Sequence, residues 1–140
     1  MVAPTNVRIP EDVDSELRRL ARDDAASKSS IIVQALTEWV KTRQHPLIHF
    51  VSPVPGERRA SLVGGPEVWS VAEVWLQHEP AQRTVQAMCE ATGLRGDQVE
   101  AALAYWAANR EEIDDLVERI HEAQEREYAA WSARQALVNA

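Results

Sequence analysis

The chain has 140 residues, 45% of them hydrophobic and 26% charged, with a net charge of −7. This composition fits one ordinary folded domain or two small ones and excludes a disordered chain, and with no apolar run of about 18 residues a membrane span is excluded too. The single cysteine, Cys89, can close no internal disulfide, and the first residues lack a charged-then-apolar leader, so the expected location is a reducing cytoplasm.

Charge is divided unevenly. Residues 1–44 hold seven basic and seven acidic side chains, so the remainder carries the whole of the −7. A neutral front and an acidic back suggest two parts with different partners, and the overall sign argues against coating nucleic acid through bulk positive charge.

In chain order, Thr5, Val7 and Ile9 alternate with Asn6 and Arg8, which is strand periodicity. Pro10 ends that segment and suits the start of a helix, and Glu11 and Asp12 follow where the helix dipole favours carboxylates. Val13, Leu17, Leu20 and Ala21 then form one apolar stripe. The run Ser27-Lys28-Ser29-Ser30 breaks the stripe and supplies an N-cap hydroxyl for a second helix, whose inner face is Ile31, Ile32, Ala35, Leu36, Trp39 and Val40. A single strand has no partner within these 44 residues, and the unit is too small to bury both stripes alone. A two-fold dimer solves both problems: the strands pair antiparallel, four helices share a core, and Asn6 and Arg8 project outward.

Asn6-Val7-Arg8-Ile9-Pro10, the Leu17 and Leu20 stripe, Ser27-Lys28-Ser29 and the stretch from Ile32 to Val40 resemble the ribbon-helix-helix family of Arc/MetJ/CopG-like repressors and antitoxins. The resemblance covers the first third of the chain. It implies a two-stranded ribbon in the major groove, with Asn6 and Arg8 as base readers. The chemistry agrees, since Arg bonds guanine and Asn bonds adenine bidentately. It also implies a phosphate clamp at the start of the second helix, near Lys28 and Ser29. Pro4 departs from the pattern by lacking a backbone donor, which leaves two readers per strand. The plainer alternative is an edge strand with two packing helices and no DNA role.

A junction rich in proline follows. His45 and His49 stand four apart, but Pro46 lies between them and no carboxylate or thiol sits at ligand spacing, so no metal is expected. Ile48, Phe50 and Val54, then Ala60, Leu62 and Val63, flank Pro55-Gly56-Glu57 and predict a hairpin whose second strand begins with Arg58-Arg59 and ends at Gly64-Gly65-Pro66. Three helices are expected next: Glu67 to His78, Thr84 to Thr92 closed by Gly93, and one capped by Asp97 carrying Val99, Ala102, Leu103 and Trp106. The last two have helix-turn-helix spacing. Asp97 and Glu100 at the start of the would-be reading helix repel phosphate, which favours a structural pair.

Arg58-Arg59-Ala60 with Gly64-Gly65, Val68-Trp69, the run from Gln98 to Tyr105, and Asn109 to Asp114 are similar to a small antitoxin-associated domain family, over about residues 45–118. That similarity implies pairing with a toxin, often a PIN-like ribonuclease.

A long helix is expected from Glu111 onward, with Ile113, Leu116, Val117 and Ile120 in a stripe that thins to Tyr128, Trp131 and Leu137. These residues (Ile113, Leu116, Val117, Ile120, Tyr128 and Trp131) are the candidate toxin-binding set. The alternative is a solvated terminal helix packed on its own domain. The tryptophans Trp39, Trp69, Trp75, Trp106 and Trp131 suit core or interface anchors, Trp131 lying outside any assigned domain.

The expected fold is therefore mainly α. It comprises a ribbon-helix-helix dimerisation unit over 1–44, a hairpin and helix-turn-helix-like domain over 45–110, and an acidic helix over 111–140. The resemblances imply a type II antitoxin, a dimeric DNA-binding autorepressor that neutralises a cognate toxin. A plain transcriptional regulator with an oligomerisation or ligand-binding back domain is the alternative. No catalytic grouping, cofactor or metal set is expected, and Cys89 on an apolar helix face is inert. The expected partners are operator DNA, a toxin, and a second copy in a homodimer or a higher even-numbered oligomer.

Overall fold

The computed structural model describes residues 2–140. Residues 2–10 carry neither helix nor strand. The strand expected over Thr5 to Ile9 is thus not formed in the single chain. The physical reason is the absence of a ladder partner, since the sheet of the described residues contains only two strands, both further along.

Helix α1 spans Glu11–Asp23, with Pro10 at its N-cap, Glu11, Asp12 and Asp14 in the first turn and Arg22 in the last. It ends through a hydrogen bond from Ala26 N–H to the Ala21 carbonyl at 2.9 Å, which requires Ala25 to adopt a left-handed φ of 50°. Helix α2 spans Lys28–Gln44, and the Ser27 hydroxyl caps it by accepting from Ser30 N–H at 3.1 Å.

Strands β1 (Ile48–Val51) and β2 (Arg59–Leu62) pair antiparallel, with Ile48 opposite Leu62 and Phe50 opposite Ala60. This is the expected hairpin, and Ile48, Ala60 and Leu62 face the core. Four helices follow: α3 (Val68–Gln77), α4 (Val85–Thr92), α5 (Gly96–Ala108) and α6 (Arg110–Val138). Thr84 caps α4, and Gly93 closes it in the left-handed conformation at φ 74°. Arg83 finishes α3, its Nε donating to the carbonyls of Trp75 and His78 at 3.1 Å each. The N-cap of α5 is Arg95, not Asp97. Gln98 Oε1 accepts from the Arg95 N–H at 3.0 Å, while Asp97, already inside the first turn, pairs with the Arg95 side chain. The cap lies two residues earlier than expected, where Gln98 at the third helical position reaches back to the N-cap N–H of Arg95.

The core belongs to the back of the molecule. Val68, Val71 and Ala72 of α3 pack with Met88 of α4, Val99, Ala102 and Tyr105 of α5, and Ile113 and Val117 of α6, beneath the hairpin. The back unit therefore runs past residue 110. Trp69 and Trp75 pack on this core, as does Cys89. No helix among the described residues is long and apolar enough to cross a membrane.

The α1–α2 pair is built differently. Only Ala21 and Asp14 are buried in α1, and no residue of α2 is. Toward its own chain α2 makes polar contacts, as Glu38 binds Arg58 through both oxygens (2.7 Å at the closest) and Lys41 reaches Glu112 at 3.4 Å, while Ile31 and Ile32 in its first turns are half-buried. His45 stands edge-on to Tyr105, ring centroids 5.1 Å apart. The apolar side, Leu36, Trp39 and Val40, points to solvent, with Trp39 63% exposed.

Candidate nucleic-acid and partner-binding surfaces

Residues 5–8 follow from a chain with nothing to pair to, so both expected base readers are open. Asn6 and Arg8 are exposed, and neither hydrogen-bonds to another side chain among the described residues. Their separation by one residue places them on one side whenever the segment is extended.

The expected phosphate clamp begins at the α2 N-terminus, where Ser27 caps one backbone donor and Ser29 is exposed. Lys28 is not free. Its Nζ lies 2.6 Å from Asp14 Oδ1, and Asp14 Oδ2 lies 2.9 Å from Arg18. The hydrogen bond from Lys28 holds the Asp14 carboxyl below the ordinary aspartate range, outweighing its partial burial, and Arg18 adds to the effect. Periodicity could not have found this pair, because 14 residues and a turn separate its members. The weak signal was a carboxylate on the side of α1 otherwise facing inward.

The candidate partner residues divide into two groups. Ile113, Leu116 and Val117 are 1%, 5% and 8% exposed, buried against their own chain. Ile113 and Leu116 cannot meet a partner in this conformation, which corrects their expected role, because α3 and α5 cover that stretch of the stripe; Val117 keeps only an edge, beside Leu76 and Trp106. Ile120 is half-buried, and only Tyr128 and Trp131 remain open, their rings 5.8 Å apart. Beyond Ala123 every residue of α6 is exposed.

Around Tyr105 the front and back of the molecule meet. Its hydroxyl donates to Glu112 Oε2 at 2.6 Å, and Lys41 Nζ lies 5.9 Å from its ring centroid. Burial first, and the neighbouring Glu112 carboxylate second, push the phenol well above its ordinary pKa. On the far side of α5, the Trp106 indole N–H donates to Asp114 at 2.7 Å. Burial would raise the Asp114 carboxyl, but that bond and Arg110 hold it below the ordinary range.

No group of three or more His, Cys, Asp or Glu side chains is placed to hold a metal among the described residues. His45 packs on Tyr105 and His49 is exposed on β1. In comparisons with protein-family models, curated proteins and solved structures, the chain matches none of them.

Proposed function

We propose that the chain is a DNA-binding antitoxin. It acts as a dimer through residues 1–44, reads operator DNA with Asn6 and Arg8, and holds a cognate toxin, of the PIN-like ribonuclease type the resemblance implies, with its acidic back part. The observation that carries this reading is the orientation of α2. Its polar residues Glu38 and Lys41 face the chain's own back domain, while Leu36, Trp39 and Val40 face outward. Val13 and Leu20 of α1 and Val7 of the preceding segment are exposed as well. A helix pair with its apolar residues outward lacks one layer of its core. A second copy supplies that layer, and it supplies the ladder that residues 5–9 lack.

Pairing two such segments places the Asn6 and Arg8 side chains of both copies on the outer side of one ribbon, where bidentate contacts to adenine and guanine are available. The start of α2 then offers exposed backbone donors at Ser29 to a phosphate. The net charge of the chain lies in residues 45–140, which keeps the acidic surface away from the DNA-facing end and leaves it for a protein partner.

The test combines sedimentation equilibrium of the full chain with titration of the DNA upstream of its own coding sequence. A dimer is expected, and Arg8→Ala should weaken specific binding by about 1–3 kcal/mol and blunt base preference. A monomer at every concentration, or unchanged affinity of the Arg8 variant, would overturn the repressor reading. Co-purification from the native host without a toxin, together with specific DNA binding, would replace the antitoxin with a plain regulator.

A further inference from the structure

We infer that a groove along α6 takes a partner helix with an apolar ridge flanked by Lys or Arg, and that Glu118, Glu122 and Glu125 select it. The inference deepens the partner-capturing half of the proposed function and rests on that half alone.

The groove is made of connected hollows. One of about 580 Å3 is floored by Leu76, Trp106 and Val117 and rimmed by Glu118, Glu122 and Glu125. It joins a second, of about 350 Å3, through Leu76, Trp106 and Arg110, and a third, of about 400 Å3, through His121 and Glu125, which ends at Tyr128. From Arg110 to Tyr128 the groove follows α6 for roughly 27 Å at 1.5 Å per residue, the length of about five turns of a partner helix. Leu76 is 47% exposed on its floor, and Tyr128 stands open at its end.

Charge decides the occupant. Several charged groups along α6 are paired within the chain, Arg110 with Asp114, Arg119 with Glu57 and Glu112 with Lys41, and His121 hydrogen-bonds Glu73. Glu118, Glu122 and Glu125 have no cationic partner among the described residues. They recur at i, i+4 and i+7, so they stand in one row and repel each other. A row of unmatched carboxylates beside an apolar floor repels a nucleic acid and an acidic peptide alike. It is complementary to a helix that presents Leu-type side chains to the floor and cations to the rim.

The full chain is titrated with a synthetic amphipathic peptide of about 18 residues, with a leucine ridge and lysine flanks. A second peptide has glutamate at the lysine positions. Binding is followed by calorimetry, and its place by the NMR signal of the Trp106 indole N–H and of the α6 backbone. The lysine peptide should shift those signals, and the glutamate peptide should not bind. The E118Q/E122Q/E125Q variant, which keeps side-chain shape, should bind about tenfold more weakly at moderate salt. Leu76→Ala, at an exposed position, should weaken binding several-fold, which a non-specific attraction of charges would not do.

Equal affinity of either variant, equal binding of the glutamate peptide, or shifts confined to Leu36 and Trp39 of α2 would overturn the inference. Self-association of the chain that the glutamine variant abolishes would overturn it as well, by making a second copy the occupant. None of these outcomes touches DNA binding through Arg8, so failure here and failure of the repressor reading are separate results.

Discussion

Helices α2 and α5 are both amphipathic and both carry a tryptophan on the apolar side, yet Trp39 is 63% exposed and Trp106 is 8% exposed. Their patterns do not explain the contrast. Helix α5 meets the hairpin, α3, α4 and α6, which together bury Val99, Ala102, Tyr105 and Trp106. Helix α2 meets α1 and β1, which half-bury Ile31 and Ile32 but leave Leu36, Trp39 and Val40 uncovered, and its Glu38 and Lys41 pair with Arg58 and Glu112. Periodicity tells a helix that it has an apolar side; the number of elements that reach that side decides whether it is covered. The back of the molecule holds the buried core, whereas the front leaves Leu36, Trp39 and Val40 exposed.

The largest expected effect follows from that contrast. Met88 is fully buried where α4 meets the core, so Met88→Ala should cost about 2–5 kcal/mol by losing contacts and leaving a cavity. The loss, read from urea unfolding, should be the same at any protein concentration. Leu36→Ala, at a position 61% exposed in one chain, should behave otherwise. Its cost should grow with concentration over a hundredfold range, because it acts on dimer formation. A concentration-independent cost for both would erase the distinction between a finished and an unfinished core.

The second effect concerns the seam that joins the two regions. Tyr105→Phe removes the donor to Glu112 and should cost about 1.5–3 kcal/mol, the range for a hydrogen bond to a charged group. The folded phenol titrates above the unfolded one. Its contribution is therefore whole below pH ~10 and is lost as pH rises beyond it. Thermal melts of the variant should accordingly lose less stability between neutral pH and alkaline pH than the parent does. An identical alkaline slope would mean that the seam gains nothing from the neutral phenol.

A third, smaller effect lies in the turn between α1 and α2. Ala25 holds a φ of 50°, a conformation that costs an L-residue and that glycine adopts freely. Ala25→Gly should therefore stabilise the α1–α2 pair by up to about 1 kcal/mol, partly offset by the extra freedom of the unfolded chain. Hydrogen exchange of the last turn of α1 should slow. Faster exchange would show that unfolded-chain entropy outweighs the relief of strain.

Local chemistry was legible in the sequence wherever a few neighbouring residues determine the outcome. Ser27 before α2, Gly93 after α4, and the Pro55-Gly56 turn between alternating strands all took the expected structure. Features that depend on a distant partner were not legible. The stripe Ile113, Leu116 and Val117 has the same spacing whether α3 or a foreign protein covers it, and the fold assigns it to α3 and α5. Residues 5–9 have strand alternation, but a strand exists only beside another. Lys28 is adjacent to the cap of α2 in sequence, while its partner Asp14 lies on another helix.

The Asp14–Lys28 pair sets the smallest expected effect, and it ties α1 to α2 at their N-terminal ends. Asp14 is 8% exposed and meets both Lys28 and Arg18. Its folded carboxyl titrates below the unfolded one. Its contribution is present above pH ~3.9 and is lost as pH falls, so Asp14→Asn should show a shallower acid limb. For DNA the consequence has the opposite sense. Asp14 now neutralises the cation that stands beside the exposed donors of α2, and the asparagine variant leaves Lys28 its full charge toward a phosphate. The slope of log K against log salt should then steepen by about one, with little change in base preference, since phosphate contacts carry none. An unchanged slope would place Lys28 out of reach of any phosphate. The start of α2 would then be a helix end fixed by an ion pair, as α5 is fixed by Gln98, and the two helices would differ only in which of them needs a second chain.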